Sequence, residues 1–264
     1  MSSSASSSTA SSSSSRKELL LLEELAANAW PAYIQQSYGD WKLRATFGVT
    51  RRANSVQAIG AMPEDGWLAE VERFYRKRGL PVYIQVSDVS PEGLDECLAE
   101  AGYELELPCF LMTAQADKLL EAVRPNDESV QFELAEQADE QWLDEFLRLE
   151  GFGKERLRGY RHIFSAIGPD KAFARVLKQG ETAALGTVVA ERGYAGISNI
   201  IVSSRHRRQG IAEQLLSKLA AWSQEHGARK LYLQVLRDNA PAVGLYRKLG
   251  FEVVSSHHYR FQRT

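Results

Sequence analysis

Cysteine is almost missing from this 264-residue chain: Cys97 and Cys109 are the whole complement. Two thiols at that spacing make neither a disulfide framework nor a metal knot. No metal site is expected, and both read as reduced, buried thiols of a cytoplasmic protein. No apolar run is long enough to cross a bilayer. Met1 to Ser15 has no charged start and no apolar core, only Ser, Ala and one Thr after the Met. That is unlike a secretory signal, and the expectation is a disordered Ser-rich tail over 1–15. A charge excess of either sign is missing too: 32 Lys and Arg face 34 Asp and Glu, a formal net charge of -2. That argues against nucleic acid or an anionic membrane as partner. What is there is ample core material, 44% hydrophobic, in a length that suits two small domains.

The chain is organised around residues 200–222. Ile200, Ile201 and Val202 end a β-branched run that reads as a buried strand. A short basic turn follows, Arg207-Arg208-Gln209-Gly210, and then Ile211-Ala212-Glu213 opens a segment with apolar residues at helical spacing. The first N–H groups of a helix have no partner inside it, and its dipole adds partial positive charge there. Gly210 lets a ligand approach the backbone, and the arginines add charge suited to phosphate. So far this is a generic anion cradle.

Two downstream features make it specific. A strand, Lys230 to Leu236, is followed by Asp238-Asn239-Ala240-Pro241-Ala242 and then by Leu245-Tyr246-Arg247-Lys248-Leu249-Gly250-Phe251. With Arg207-x-x-Gly210-x-Ala212 upstream, residues 182–264 resemble the core of the GNAT superfamily, the acyl-CoA-dependent N-acyltransferases. The resemblance implies a mixed, mostly antiparallel sheet flanked by helices, with acetyl-CoA as co-substrate. It assigns the pantetheine arm to Ile200, Ile201 and Val202, and the pyrophosphate to the backbone from Arg208 to Glu213. It places Asn239 and Ala242 beside the cofactor arm and makes Tyr246 the general acid. Family members that acetylate protein N-termini carry a Glu on the fifth strand; the matching residue here is Gln234, which cannot take a proton. His257, His258 and Glu150 remain candidates for the base by chemistry alone.

The first half reads as a fainter copy. Helix, Tyr83-Ile84-Gln85-Val86, helix, Gly102-Tyr103 parallels helix, Tyr232-Leu233-Gln234-Val235, helix, Gly250-Phe251. The copies lie too far apart for a solenoid period and suit a duplicated domain. Glu64 and Asp65 precede the helix at Gly66, where they would repel a pyrophosphate. The expectation is therefore an α/β (α+β) protein of two GNAT-like domains: a degenerate one over 16–127 and a catalytic one over 128–264, with the boundary near Pro125-Asn126-Asp127. Locally, Ser15 and Glu18 suggest a capping box for a helix from Arg16, and Asp65 a cap for a helix from Gly66. Arg51 and Arg52 read as a charged strand edge, with an anion clamp as the alternative. The expected acceptor is a small-molecule or peptide amine, and the expected assembly a monomer or homodimer. A non-catalytic acyl-CoA sensor and a protein N-terminal or lysine acetyltransferase stay open.

Overall fold

The computed structural model describes residues 7–123 and 129–262. Eleven strands form one sheet, in the order β1 (Ile34–Tyr38), β2 (Trp41–Ala45), β3 (Val56–Gln57), β4 (Val82–Ser87), β11 (Glu252–Gln262), β5 (Glu104–Gln115), β10 (Lys230–Leu236), β9 (Tyr194–Val202), β8 (Glu181–Glu191), β7 (Asp170–Lys178), β6 (Val130–Ala135). Two neighbouring pairs are parallel, β3 with β4 and β9 with β10; the rest are antiparallel. The mixed, mostly antiparallel α+β fold expected from the sequence is present.

The two halves do not close separate sheets. β5, from the first half, pairs with β10 along its full length, Lys230 opposite Gln115 through Leu236 opposite Cys109. β11, the last strand of the chain, pairs with β4, His257 opposite Ser87 through Gln262 opposite Val82. β5 and β11 also pair with each other at the centre. Each half thus lends its final strand to the other. β5 bulges at Leu107 (φ 51°) and Pro108 and continues past it. A proline without an N–H is tolerated at such a bulge. β11 runs as one strand, with bulges, to Gln262.

Helices α7 (Ile211–Glu225) and α8 (Ala240–Lys248) cover one face over the alternate residues Leu231, Leu233 and Val235 of β10. Helix α1 (Ser7–Asn28) covers the other, with Leu22 and Leu25 buried against Leu111 and Tyr232. Each such leucine contributes about 2 kcal/mol by leaving water. Of the stretch expected to be disordered, residues 1–6 lie outside the described residues; 7–15 continue α1, since neither Gly nor Pro interrupts them. Ser15 is accordingly interior, not a cap, and Glu18 instead accepts from Tyr194 (2.8 Å) and Lys230 (3.0 Å). The expected boundary at 125–127 also falls outside the described residues.

Local signals fared best where one side chain decides. Asp139 accepts from the Trp142 N–H at 2.7 Å and starts α5 (Glu140–Glu150); Gly151, φ 71°, ends it. α6 (Leu157–Ala166) packs on it. One expectation is corrected. α2 (Trp67–Arg76) starts behind Gly66, whose φ of 87° makes the turn without help from Asp65. α3 (Leu94–Glu100) likewise starts behind a left-handed glycine, Gly93. β1 escaped notice because Gln35, Gln36 and Ser37 are exposed at the sheet edge and carry no apolar alternation.

The exchange makes each half dependent on the other. Residues 129–264 expressed alone lack the strand between β10 and β11 and should be aggregated or unfolded; co-expression with 1–123 should restore a soluble pair. Gel filtration and circular dichroism of the two preparations check this.

Candidate active site

β9 and β10 pair only at Tyr194–Lys230, Ala195–Leu231 and Gly196–Tyr232. Beyond Gly196 they part, while β10 keeps its ladder to β5. The cause lies in β9, where Asn199, φ 55°, forms a bulge against β8 and donates to the Thr187 hydroxyl at 3.1 Å. A bulge bends its strand, here away from β10. Gly196 shapes the vertex: a Cβ there would lie 2.5 Å from the Tyr232 ring. From Ile197 to Val202 the β10-facing edge of β9 carries no ladder. Ile200, Ile201 and Val202 are half-buried along this opening.

At its mouth the chain makes a short 3-10 turn, Ser204–His206, and enters α7. Arg208 (φ 63°) and Gly210 (φ 76°) are both left-handed. Gly210 is the N-cap, with no side chain bonding the first turn. The first helical bond runs from the Gln214 N–H to the Gly210 carbonyl, so the N–H groups of Ile211, Ala212 and Glu213 have no helical acceptor. Space around the Gly210 α-carbon is open. Val202, Arg207, Arg208, Gly210, Ile211, Ala212 and Glu213 line one cleft of about 490 Å³, closed on the far side by Pro241, Gly244, Leu245 and Lys248 of α8. A Lys248–Glu213 ion pair (2.7 Å) ties its lips together.

The remaining expected residues stand around this cleft. The Gln209 side chain is engaged elsewhere, donating to the Arg205 carbonyl and accepting from Lys178. Asn239 caps α8 by accepting from the Ala242 N–H at 3.2 Å. Tyr246 is buried at 8% exposure, edge-on to Phe251. Burial raises its hydroxyl to about 12, opposed by the charge of Arg52.

On the α1 side of the sheet the opening meets two small cavities. One is bounded by Trp30, Arg52, Ser198, Tyr232 and Gln234, the other by Glu23, Arg44, Arg52, Gln85, Gln234 and Tyr259. Glu23 is the single carboxylate lining them. It is 4% exposed and accepts from Gln85 at 2.9 Å. Desolvation raises its pKa to about 7, against the lowering by the Gln85 bond and the Arg44 charge. The sequence reading missed Glu23; its signal is an acid placed between Leu22 and Leu25 on a helix that buries both. Of the bases considered, His258 is held by Asp95 (2.7 Å) together with Arg260, away from the opening. His257 is buried, and desolvation lowers its pKa to about 4, too weak a base for an amine. Glu150 ends α5; desolvation of its carboxyl raises its pKa, against the lowering by the nearby Arg52 charge.

A parted parallel strand pair with an uncapped, glycine-led helix at its mouth defines a GNAT acyltransferase. Solved structures agree on the fold: a GCN5-related N-acetyltransferase from Kribbella flavida superposes with TM-score 0.68 at 15% identity, over 93% of this chain and 95% of that one. A tandem GNAT protein from the clavulanic acid biosynthesis pathway gives TM-score 0.61 at 14% identity, over 74% and 68%. The chain belongs to the family described as probable histone acetyltransferase Rv0428c, C-terminal, whose model matches residues 17–262. It is 45% identical over 242 residues to YobR, an uncharacterized N-acetyltransferase of Bacillus subtilis, covering 91% of this chain and 97% of that relative. The chain is thus an acyltransferase of the N-acetyltransferase class, and the reading as a non-catalytic sensor gives way. Among the described residues, no helix is long and apolar enough to cross a membrane, and no group of three His, Cys, Asp or Glu could hold a metal.

Burying Glu23 leaves a mark on stability. Its folded-state pKa of about 7 lies above the ordinary 4.5, so the native state holds a proton that the unfolded chain has released. Stability therefore falls as pH rises from about 4.5 through about 7. Glu23→Gln should raise the melting temperature at pH 8, by a stabilisation on the order of 3 kcal/mol. It should change little at pH 4.5. Thermal melts at the two pH values test this.

Proposed function

We propose that the protein transfers an acetyl group from acetyl-CoA to a primary amine by direct attack in a ternary complex. One observation carries this reading: the β9–β10 opening joins an anion cradle on the α7–α8 face to polar cavities on the α1 face. The cradle residues fit a diphosphate. Open N–H groups behind Gly210, room at its α-carbon, and the Arg207 and Arg208 charges at the rim are the right chemistry. The unladdered edge of β9, Ile200 to Val202, offers backbone groups to an amide-bearing arm as an added strand would. Acetyl-CoA supplies the thioester.

The protein's side chains account for the protons. An alkylammonium has no lone pair, so the amine must lose a proton before its nitrogen bonds the thioester carbon. Glu23, poised near neutrality beside Gln234, takes it, directly or through one water. N–H groups of Ile201 or Val202 meet the charge gathering on the thioester oxygen. As the carbon–sulfur bond breaks, the sulfur leaves as thiolate beside Tyr246. That phenol stays protonated until the sulfur leaves, donates to it, and is restored by the second proton that the attacking nitrogen sheds as the amide forms. The same desolvation that holds its proton raises the proton affinity of the thiolate. The acceptor is a small molecule or a peptide; a protein N-terminus or lysine is the alternative, separated by testing free amines against peptides.

Gly210→Asp should abolish acetyl-CoA binding in titration calorimetry while the protein stays folded. Asp tolerates a left-handed backbone better than most residues, and its carboxylate would face the diphosphate. Unchanged affinity would remove the cradle. Tyr246→Phe should lower kcat about 10²-fold. Its KM for acetyl-CoA should hold, and equal turnover would dismiss Tyr246 as the donor.

A further inference from the structure

Arg51 and Arg52 do not form the charged strand edge expected of them. They lie in a 3-10 turn, Arg51–Ala53, and face different ways. Arg51 pairs with Glu106 at 3.1 Å and lies over the Tyr83 ring. Arg52 points toward the opening, its guanidinium 4.9 Å over the Trp30 ring. Among the described residues, no carboxylate pairs with it and no side-chain or backbone oxygen accepts from it. It borders both small cavities. Its charge also reaches the Tyr246 hydroxyl, so it stands close to where the acyl group would be exchanged.

The turn that carries Arg52 is rigidly held. The Asn54 side chain accepts from the N–H groups of Thr46 (2.6 Å) and Gly48 (3.1 Å) and donates to the carbonyls of Thr46 (3.0 Å) and Thr50 (2.8 Å). From the other half, the Tyr160 hydroxyl donates to the Val49 carbonyl at 3.2 Å. Gly159 of α6 lies so close that a Cβ would sit 2.5 Å from Val49. The first half thus wedges a turn between α6 and the opening, and the charged group it delivers is a guanidinium with no carboxylate at ion-pair distance among the described residues, Glu150 feeling its charge only from farther off. An unpaired, partly buried cation is costly to keep unless something anionic arrives.

We propose that Arg52 binds a carboxylate on the acceptor, so that the substrates are small amines carrying a carboxylate, with amino acids the leading class. The proposal rests on the acetyltransferase reading above. Arg presents paired donors that match a planar carboxylate. The cavities it borders hold only about 10 and 20 Å³, each room for about one water-sized polar group beside the guanidinium. With Glu23 in the same pocket to relieve the ammonium, the two ends of a zwitterion each find an opposite partner.

The test uses full-length protein, acetyl-CoA and matched pairs of amino acids with their C-terminal amides, following CoA thiol release. The ratio of kcat/KM for acid over amide is compared between wild type and Arg52→Met, which cancels the different basicity of the two amines. That ratio should fall about 10- to 100-fold in the variant, mainly through KM for the acid. Arg52→Lys should recover part of it. An unchanged ratio overturns the proposal, as does a wild type that binds acetyl-CoA in calorimetry yet acetylates no carboxylate-bearing amine. A wild type that fails to bind acetyl-CoA sinks the acetyltransferase reading itself, and this proposal with it.

Discussion

The parting of β9 from β10 is the constraint on which the rest of the molecule turns. Two parallel neighbours that stayed paired to their ends would present a closed sheet, with α7 on one side and α1 on the other. One left-handed residue, Asn199, fixed by Thr187, bends β9 out of the ladder. The opening exposes backbone groups that a folded protein normally satisfies, a local cost that ligand contact offsets. The loop after β9 then has to enter α7 from an angle that only left-handed residues allow, which accounts for Arg208 and Gly210 in one stroke. The anion cradle is the geometric sequel of the bulge.

Around that opening the two halves divide the labour. The second half supplies the strands, the cradle and Tyr246. The first half supplies Glu23 and Trp30 from α1 and the segment after it, and Arg52 from the stapled turn. A buried polar row, Arg44, Gln57, Gln85 and Tyr259, lines its sheet where apolar residues would pack more simply. Gln57 donates to the Glu23 backbone carbonyl and Gln85 to its carboxylate, both at 2.9 Å. A satisfied buried network of this kind holds a helix in one position rather than several. It is how α1 is kept over the opening. Tyr83–Val86 and Tyr232–Val235 each set a glutamine on the α1 face, and Gln85 and Gln234 line the same cavity as Glu23.

The sequence was most legible where structure is local. The strand ending at Val202, the basic turn after it and the helix opening at Ile211 each depend on a few adjacent residues, and all stand where the pattern put them. Legibility failed where distance along the chain was large. No periodicity says that β5 pairs with β10 and not with its own half, because the alternation of Cys109, Leu111 and Thr113 fits either neighbour. The same blindness hid Glu23, which looks solvent-facing on a helical wheel until the sheet closes over it. Arg51 and Arg52 looked alike as neighbours, and only the turn separates the one paired with Glu106 from the one laid over Trp30.

The exchange of final strands also governs the order in which the molecule can be made. During synthesis β4 emerges long before β11, its partner, and must wait with one edge bare through the making of the whole second half. An unsatisfied edge of that kind invites pairing with another nascent chain. The lag weighs on birth more than on endurance, since contacts spanning such separations slow folding without weakening what is finally built. A cell that makes this enzyme quickly thus has reason to keep chaperones near it.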